Sequence, residues 1–563
     1  MLLPHGVTGV NLAPHWRGRE RFVILDSAWD NGERYRAILA AWRADEQRPR
    51  RLHYIAIADP ALPGFRRIPQ PDDLVTLDLL HAAPEQALAQ LDARPDAIVL
   101  HRHGAAMVRP LAKLATPGTL LFADGLSEEQ GEALAKAGFV PRAGGPSIFA
   151  SRKPFAPRSS PGERRAIVVG AGLAGSAACE RLCARGWQVT LVERHAQPAM
   201  EASGNLAGIF MPLLSKDDNI PTRLTRAAFL FALDYWEKLG GIGRAIDGDQ
   251  CGVMQLARDA GHAQVQRGIA QLWGYPAEFA RWLEAGEASS MLGSPAPDGA
   301  WLFRNGGWAR PGSVCAAMLA ACGDSLTALF GAGGIRIERC DGQWRVIDAA
   351  GAVLAQAPVL VLANGIGATA VSEASALPLA SVRGQVSHLD ESTAPALPFV
   401  LCREAYLTPA SHGIHSAGAT YDLNDSDPQV RQSSHDENLA KVRSLLGDEN
   451  IEAPLRGRTG FRCVGPDRLP LVGALADATP TGRAERLRDL PRHPGLYGLL
   501  GYASRGLIWA PLAAELLAAQ LEGEPIPLER SLAEALDPAR FMLGRARKHD
   551  IVASSPSRDA ANE

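Results

Sequence analysis

The sequence predicts two α/β units in tandem, each built on a mainly parallel sheet. Before residue 150, short apolar runs alternate with helical patterns, and near residue 166 a strand–helix–strand unit opens around a glycine-rich turn. Between them lies SRKPFAPRSSPGERR, rich in Pro, Ser and Arg and without an apolar period. At 563 residues the chain is too long for one core, and 46% hydrophobic with 21% charged residues is a globular composition. The expected organisation is a first domain at 1–153, a linker at 154–165, a second domain at 166–545 and a frayed tail at 546–563.

In the first domain FVILD (22–26), LHYIAIAD (52–59), LVTLDLL (74–80), DAIVLH (96–101) and TLLFAD (119–124) read as strands. Residues 32–46 and 85–93 read as helices between them. In the second domain AIVVG (166–170) is a buried strand, residues 171–186 a helix and WQVTLVE (187–193) a second strand. PVLVLAN (358–364) is a further strand, and 222–240 and 506–521 are helices. The stretch from 381 to 462 reads mostly as strands and turns.

The turn Gly170-Ala171-Gly172-Leu173-Ala174-Gly175 lies between a buried strand and the start of a helix. Its first glycine permits the tight turn, the second lets backbone approach a pyrophosphate, and the third permits close helix–strand packing. The helix N-terminus offers unpaired N–H groups and a partial positive charge to phosphate. Glu193 ends the second strand 18 residues after Gly175, where an acid can accept ribose hydroxyls, and Arg194 follows it. Three distant segments turn this dinucleotide site toward flavin. Asn364 and Gly365 form a small-residue turn after a strand. Ser203, Gly204 and Asn205 follow the second strand closely. Ser504, Arg505 and Gly506 lead into a second helix whose N-terminus can face the polar end of an isoalloxazine ring. The expected cofactor is FAD.

Other classes find little support. No stretch approaches the ~20 apolar residues of a membrane span. The N-terminus lacks the basic and apolar regions of an export signal, so a cytoplasmic protein is expected. The eight cysteines include no CxxC pair; reduced core thiols are expected, and no metal. Net charge is only −3, but residues 1–165 carry 22 basic against 18 acidic side chains. Arg48, Arg50, Arg51, Arg66 and Arg67 leave two readings open, phosphate contacts or solvated surface.

Residues from about 165 to 545 resemble the FAD-dependent half of the bifunctional tRNA 5-methylaminomethyl-2-thiouridine biosynthesis proteins (MnmC), within the D-amino-acid oxidase and glycine oxidase superfamily. The matching runs are EASGNLAGIFMPLLSKDD (201–218), GGWARPGSV (306–314), SVRGQVSHL (381–389), AYLTP (405–409), GRTGFRCVGPDRLPLVG (457–473) and GYASRGLIWAPLAAELLAAQ (501–520). The resemblance implies an FAD-binding Rossmann-type domain with an inserted α+β substrate domain. It implies oxidation of the carboxymethylaminomethyl group on a tRNA wobble uridine, giving the aminomethyl form and glyoxylate. It implies that Arg462 grips the substrate carboxylate, a planar bidentate pairing that guanidinium suits. Cys463 stands where many relatives have proline. Tyr406 is a candidate hydroxyl donor or a core tyrosine, Arg505 is read as orienting flavin, and His388 as structural.

Residues 20–153 resemble the methyltransferase half of the same family, as a degenerate Rossmann-like domain. The family's glycine-rich loop is replaced by Asp26-Ser27-Ala28-Trp29-Asp30-Asn31-Gly32, with tryptophan where backbone must approach S-adenosylmethionine. The acid at the end of the second strand falls on Ala58, with Asp59 one place on and facing the other side. The carboxylate that would receive the amine is lost in His101-Arg102-His103-Gly104-Ala105. Oxidation without methylation is therefore expected. A fully bifunctional enzyme, a small-molecule amine oxidase and a tRNA-holding N-terminal module are the alternatives.

Overall fold

The structure is a computed structural model of the chain. It describes residues 11–59, 62–101, 107–123, 126–142, 145–150, 162–448, 451, 456–477 and 485–543. Most of the expected linker, the expected tail and residues 102–106 lie outside these. The chain divides into two compact units, 1–162 with 518–533, and 163–517 with 534–563.

The first unit is an eight-stranded sheet. From one edge its strands are Gly64–Pro69, Val75–His81, Arg51–Ala58, Arg21–Asp26, Ala97–Leu100, Leu120–Ala123, Gly145–Phe149 and Phe139–Arg142. The five central strands run parallel and the edges antiparallel. Strand order reverses at Arg21–Asp26, which pairs with Arg51–Ala58 on one side and Ala97–Leu100 on the other. All five expected strands and both helices are present, the helices as Glu33–Ala44 and Pro84–Gln90.

Residues 518–533, assigned from sequence to the second domain, pack with this first unit instead. Polar contacts tie them there. Arg51 Nε lies 2.8 Å from Glu524 Oε1, both buried. Arg67 donates to the Pro525 carbonyl at 2.8 Å, and the Ile526 amide donates to the Asp92 carbonyl at 3.1 Å.

In the second unit the parallel strands Leu326–Leu329, Gln188–Val192, Arg165–Val169, Val359–Leu362 and Arg492–Leu500 lie side by side, with Leu471–Ala476 antiparallel at the edge. Ile167, Val169, Leu360, Leu362 and Leu496 fill the core beneath them. Residues between these strands build a nine-stranded, mainly antiparallel sheet containing Ala380–Asp390, Ile414–Gly418 and Arg456–Val464. This is the expected α/β fold with an inserted α+β region. The helix Gln432–Leu446 lies inside the stretch read as strands and turns. Its buried face mixes Leu439, Val442 and Leu445 with Ser434, His435 and Asn438, so no clean apolar period betrays it.

A buried ionic group joins three helices, Leu173–Cys183, Ile220–Lys238 and Gly506–Glu522. Arg185 donates to both Glu515 oxygens, at 3.1 and 2.7 Å. Arg181 pairs with Glu180, which also accepts from the Tyr235 hydroxyl at 2.7 Å. Removing one partner of such a pair strands a charge, so Glu515→Ala should destabilise the larger unit by about 3–5 kcal/mol. Denaturant unfolding followed by tryptophan fluorescence checks this; a loss below ~1 kcal/mol would mean that the arginine finds solvent.

Candidate functional site

The site grows from the end of strand Arg165–Val169. Gly170 turns the chain at φ +102°, and a Cβ there would lie 2.9 Å from the Ala363 carbonyl oxygen. A Cβ at Gly175 would overlap the Gly170 carbonyl oxygen, so the third glycine sets how closely the helix docks. At Gly172 the nearest neighbour of such a Cβ is Ser203 Oγ, at 3.1 Å. That hydroxyl accepts from the Leu173 amide at 3.1 Å, capping the helix start from 30 residues away.

Glu193 folds back onto this turn. Its carboxylate accepts from the Ala171 amide at 2.6 Å and the His195 amide at 2.9 Å, and it is 7% exposed. Arg194 points outward and pairs with Glu201. Asn364 and Gly365 (φ +56°) follow strand Val359–Leu362, and the Asn364 backbone borders Gly170. Gly506 closes the ring of segments, since a Cβ there would touch Leu173 Cδ1 at 3.2 Å. Ser504 is exposed beside it, and Arg505 donates to the Met211 carbonyl at 3.4 Å. Four segments far apart in sequence thus meet at one helix N-terminus.

This arrangement fits a dinucleotide. The second glycine leaves its space beside Ser203 open to a phosphate rather than filling it with a methyl group. Asn364 Oδ1 and the Tyr502 hydroxyl are buried without a hydrogen-bond partner among the described residues. Burial pushes the Tyr502 phenol up, so it stays a neutral donor. Buried polar atoms of this kind are where a folded interior holds water or a polar ligand.

The second half of the site is one face of the antiparallel sheet. Along Arg456–Val464, alternate residues Arg458, Gly460 and Arg462 share a face and pair with Val386, Gly384 and Val382. Tyr406 joins them by pairing with Gly418, itself opposite Val386. Arg462 Nη1 donates to the Thr420 carbonyl at 3.2 Å, and its guanidinium carbon lies 5.5 Å from the Tyr421 ring centre. Burial pushes the Tyr406 phenol up to about 12, against a smaller downward pull from the Arg462 charge. The phenol is therefore protonated at neutral pH, next to a permanent cation. On the same face, burial lowers the His388 pKa, assisted by His435 and Arg458, and leaves that imidazole neutral.

Sequence reasoning missed Arg458. It donates to the Met200 carbonyl at 2.7 Å, to the Glu201 carbonyl and to Asn205 Oδ1 at 3.2 Å. It thereby ties the 200–205 loop to the sheet, and Gly204 has no room for a side chain beside it. Its position four residues before Arg462 on a strand, hence on the same face, was the available signal. A cleft of about 220 Å³ in this unit is lined by Ala207, Trp308, Arg310, Thr408 and Ser416, among others.

The glycine turn generates a direct test. Gly172→Val should yield folded protein without flavin colour, because the added methyl groups fill the space beside Ser203 Oγ. Absorbance of the purified variant together with circular dichroism checks this; a full FAD complement would move the pyrophosphate elsewhere.

Comparison with known proteins agrees with this geometry. Residues 165–520 match the FAD dependent oxidoreductase family. A tRNA 5-methylaminomethyl-2-thiouridine biosynthesis bifunctional protein MnmC from Azoarcus sp. is 40% identical, covering 96% of this chain and 93% of its own length. The protein of the same name from Burkholderia thailandensis is 39% identical over 97% and 94%. In fold, a glycine oxidase from Geobacillus kaustophilus matches 67% of this chain and 99% of its own at TM-score 0.56 and 21% identity. The chain belongs to the MnmC family of bifunctional proteins, and its residues 165–520 form an FAD-dependent oxidoreductase domain.

Proposed function

We propose that this chain oxidatively removes the carboxymethyl group from 5-carboxymethylaminomethyl-(2-thio)uridine at the wobble position of tRNA. The products are the 5-aminomethyl nucleoside and glyoxylate, and the compartment is the cytoplasm. The observation that carries the reading is that Arg462 and Tyr406 lie on one face of the sheet, in a chain whose relatives are named for tRNA modification.

FAD supplies a two-electron acceptor for the C–H bond next to the amine. The backbone around Gly170, Gly172 and Gly175, with the Leu173 helix start, Ser203, Gly204 and Asn205, would hold its pyrophosphate. Glu193 would take a ribose, with Arg194 at its outer edge. Asn364, Gly365, Ser504, Arg505 and Gly506 would border the remainder. Arg462 pairs with the substrate carboxylate, and the protonated Tyr406 phenol donates a hydrogen bond to the same group. Held at one end, the arm has its reactive C–H bond oriented, and positioning contributes much of the rate. Neutral His388 adds no charge to that face.

Methyl transfer is proposed to be absent. In the smaller unit Asp26 ends the strand at which the sheet order reverses, where ligands of open α/β sheets bind. Its carboxylate is wholly buried and already engaged by Arg34, Tyr54, His101 at 3.1 Å and the Ala28 amide at 3.1 Å. Burial pushes this carboxyl up, but the His101 and Tyr54 hydrogen bonds and the Arg34 charge outweigh it and hold the pKa below the ordinary value. Trp29 packs 6.4 Å from Tyr35, over the turn that would have to admit S-adenosylmethionine. Internal groups thus make the contacts that a cofactor would need.

Purified protein incubated with tRNA bearing carboxymethylaminomethyl-uridine should yield the aminomethyl nucleoside by mass spectrometry, with or without S-adenosylmethionine. Methylaminomethyl-uridine forming at a comparable rate would restore the bifunctional description; no conversion at all would overturn the oxidase reading. Arg462→Lys should keep its FAD but lose at least about tenfold in kcat/KM, because an ammonium cannot reproduce the bidentate pairing. Unchanged steady-state kinetics would move the carboxylate site away from Arg462.

A further inference from the structure

Gly384 stands in the middle of strand Ala380–Asp390, buried and paired with Gly460 on the neighbouring strand. Its φ is not positive, so nothing in its backbone calls for glycine. Glycine weakens a strand relative to alanine, and in a strand interior it marks a bulge or a close approach. No bulge interrupts the register here. What approaches is Arg462: a Cβ on residue 384 would lie 2.6 Å from the guanidinium carbon. The guanidinium crosses the bare backbone of Gly384, and its Nη1 is anchored 3.2 Å from the Thr420 carbonyl oxygen.

We infer that Gly384 is a specificity-determining positioning residue, setting the height and tilt at which Arg462 meets a carboxylate. Non-bonded carbons rest about 3.5–4.0 Å apart, so a methyl group here would lift the guanidinium by roughly 1 Å. A displacement of that size can cost on the order of a hundredfold when a substrate must be held for reaction. The inference rests on the reading of Arg462 as the carboxylate-binding group. It adds that the adjacent strand, without touching substrate, decides how that group is presented. A side chain on Gly460 would not have this effect on Arg462, since its nearest neighbour would be Arg458 at 3.2 Å.

The test is a double-mutant cycle of Gly384→Ala and Arg462→Ala in the FAD-loaded full chain. Three measurements are made: FAD per chain, KM and kcat on carboxymethylaminomethyl-tRNA, and the Kd of glycolate from its perturbation of the flavin absorption band. Gly384→Ala should keep its FAD and its thermal midpoint, raise KM and the glycolate Kd about tenfold or more, and change kcat less. In the Arg462→Ala background the same substitution should change neither constant. Equal losses in both backgrounds, or unchanged KM and Kd in the single variant while Arg462→Ala is impaired, would overturn the inference. If Arg462→Ala itself binds glycolate normally, the underlying reading of Arg462 fails instead. Should Gly384→Ala not fold, recovery of folding in the double variant would support the contact, and failure of both would overturn it.

Discussion

The larger unit depends on a contact with no room for a methyl group. The helix that begins at Leu173 sits so close to strand Arg165–Val169 that a side chain on Gly175 would overlap the Gly170 carbonyl. Gly170 in turn lies against the 363–364 backbone. This approach brings the helix N-terminus to the carboxyl edge of the parallel strands, and the other binding segments are arranged around that point. Ser203 reaches the helix start as a cap, Glu193 accepts from the turn itself, and Gly506 lies against Leu173. The buried Arg185–Glu515 pair and the Glu180–Arg181–Tyr235 group hold the far part of the helix against its neighbours. A helix fixed at both ends keeps its unpaired N–H groups preorganised, which lowers the cost of ordering them around a ligand.

The antiparallel sheet separates two sets of polar side chains by the two-residue period of a strand. Arg383, Gln385 and Ser387 point to one side, where helix Gln432–Leu446 and the 425–431 turn enclose them. Arg383 is fully buried, donates to the Asp427 and Gln429 carbonyls at 2.9 and 2.7 Å, and pairs with Asp422 at 3.0 Å. Asn438 donates to the Gln385 carbonyl at 2.9 Å, and His435 Nδ1 lies 2.7 Å from Ser387 Oγ. Gly384, Val386 and His388 face the other way, toward Arg462, Tyr406 and Arg458. A one-residue slip would exchange the two sets and carry Arg458 and Arg462 into the closed polar network. The polar network on the closed side, which has its full geometry only in one alignment, holds the register.

In the smaller unit the groups at the reversal of strand order are paired within the fold. Its five parallel strands retain the reversal of order at which a ligand would bind, yet the charges there satisfy one another. A buried carboxylate with four donors offers little to an incoming group, since each new contact must replace one already made. The core residues on both faces of the sheet are closely packed around this group.

Much of this was legible in the sequence. Buried strands, the GxGxxG turn and the acid at the end of the next strand are local signals, because a strand period and a turn glycine depend only on near neighbours. The family resemblance added Arg462 and Tyr406, which no local pattern singles out. Other features were decided by tertiary structure alone. Helix Gln432–Leu446 hides its period because polar residues on its buried face serve partners about 50 positions away. Residues 518–533 join the first unit through Glu524 and Pro525, whose partners Arg51 and Arg67 lie more than 450 residues earlier. Gly384 looks like any strand glycine until the fold lays Arg462 across it, 78 residues on. Sequence determines what each segment can form by itself; which side chain fills the space beside it is set by packing, which has no sequence range.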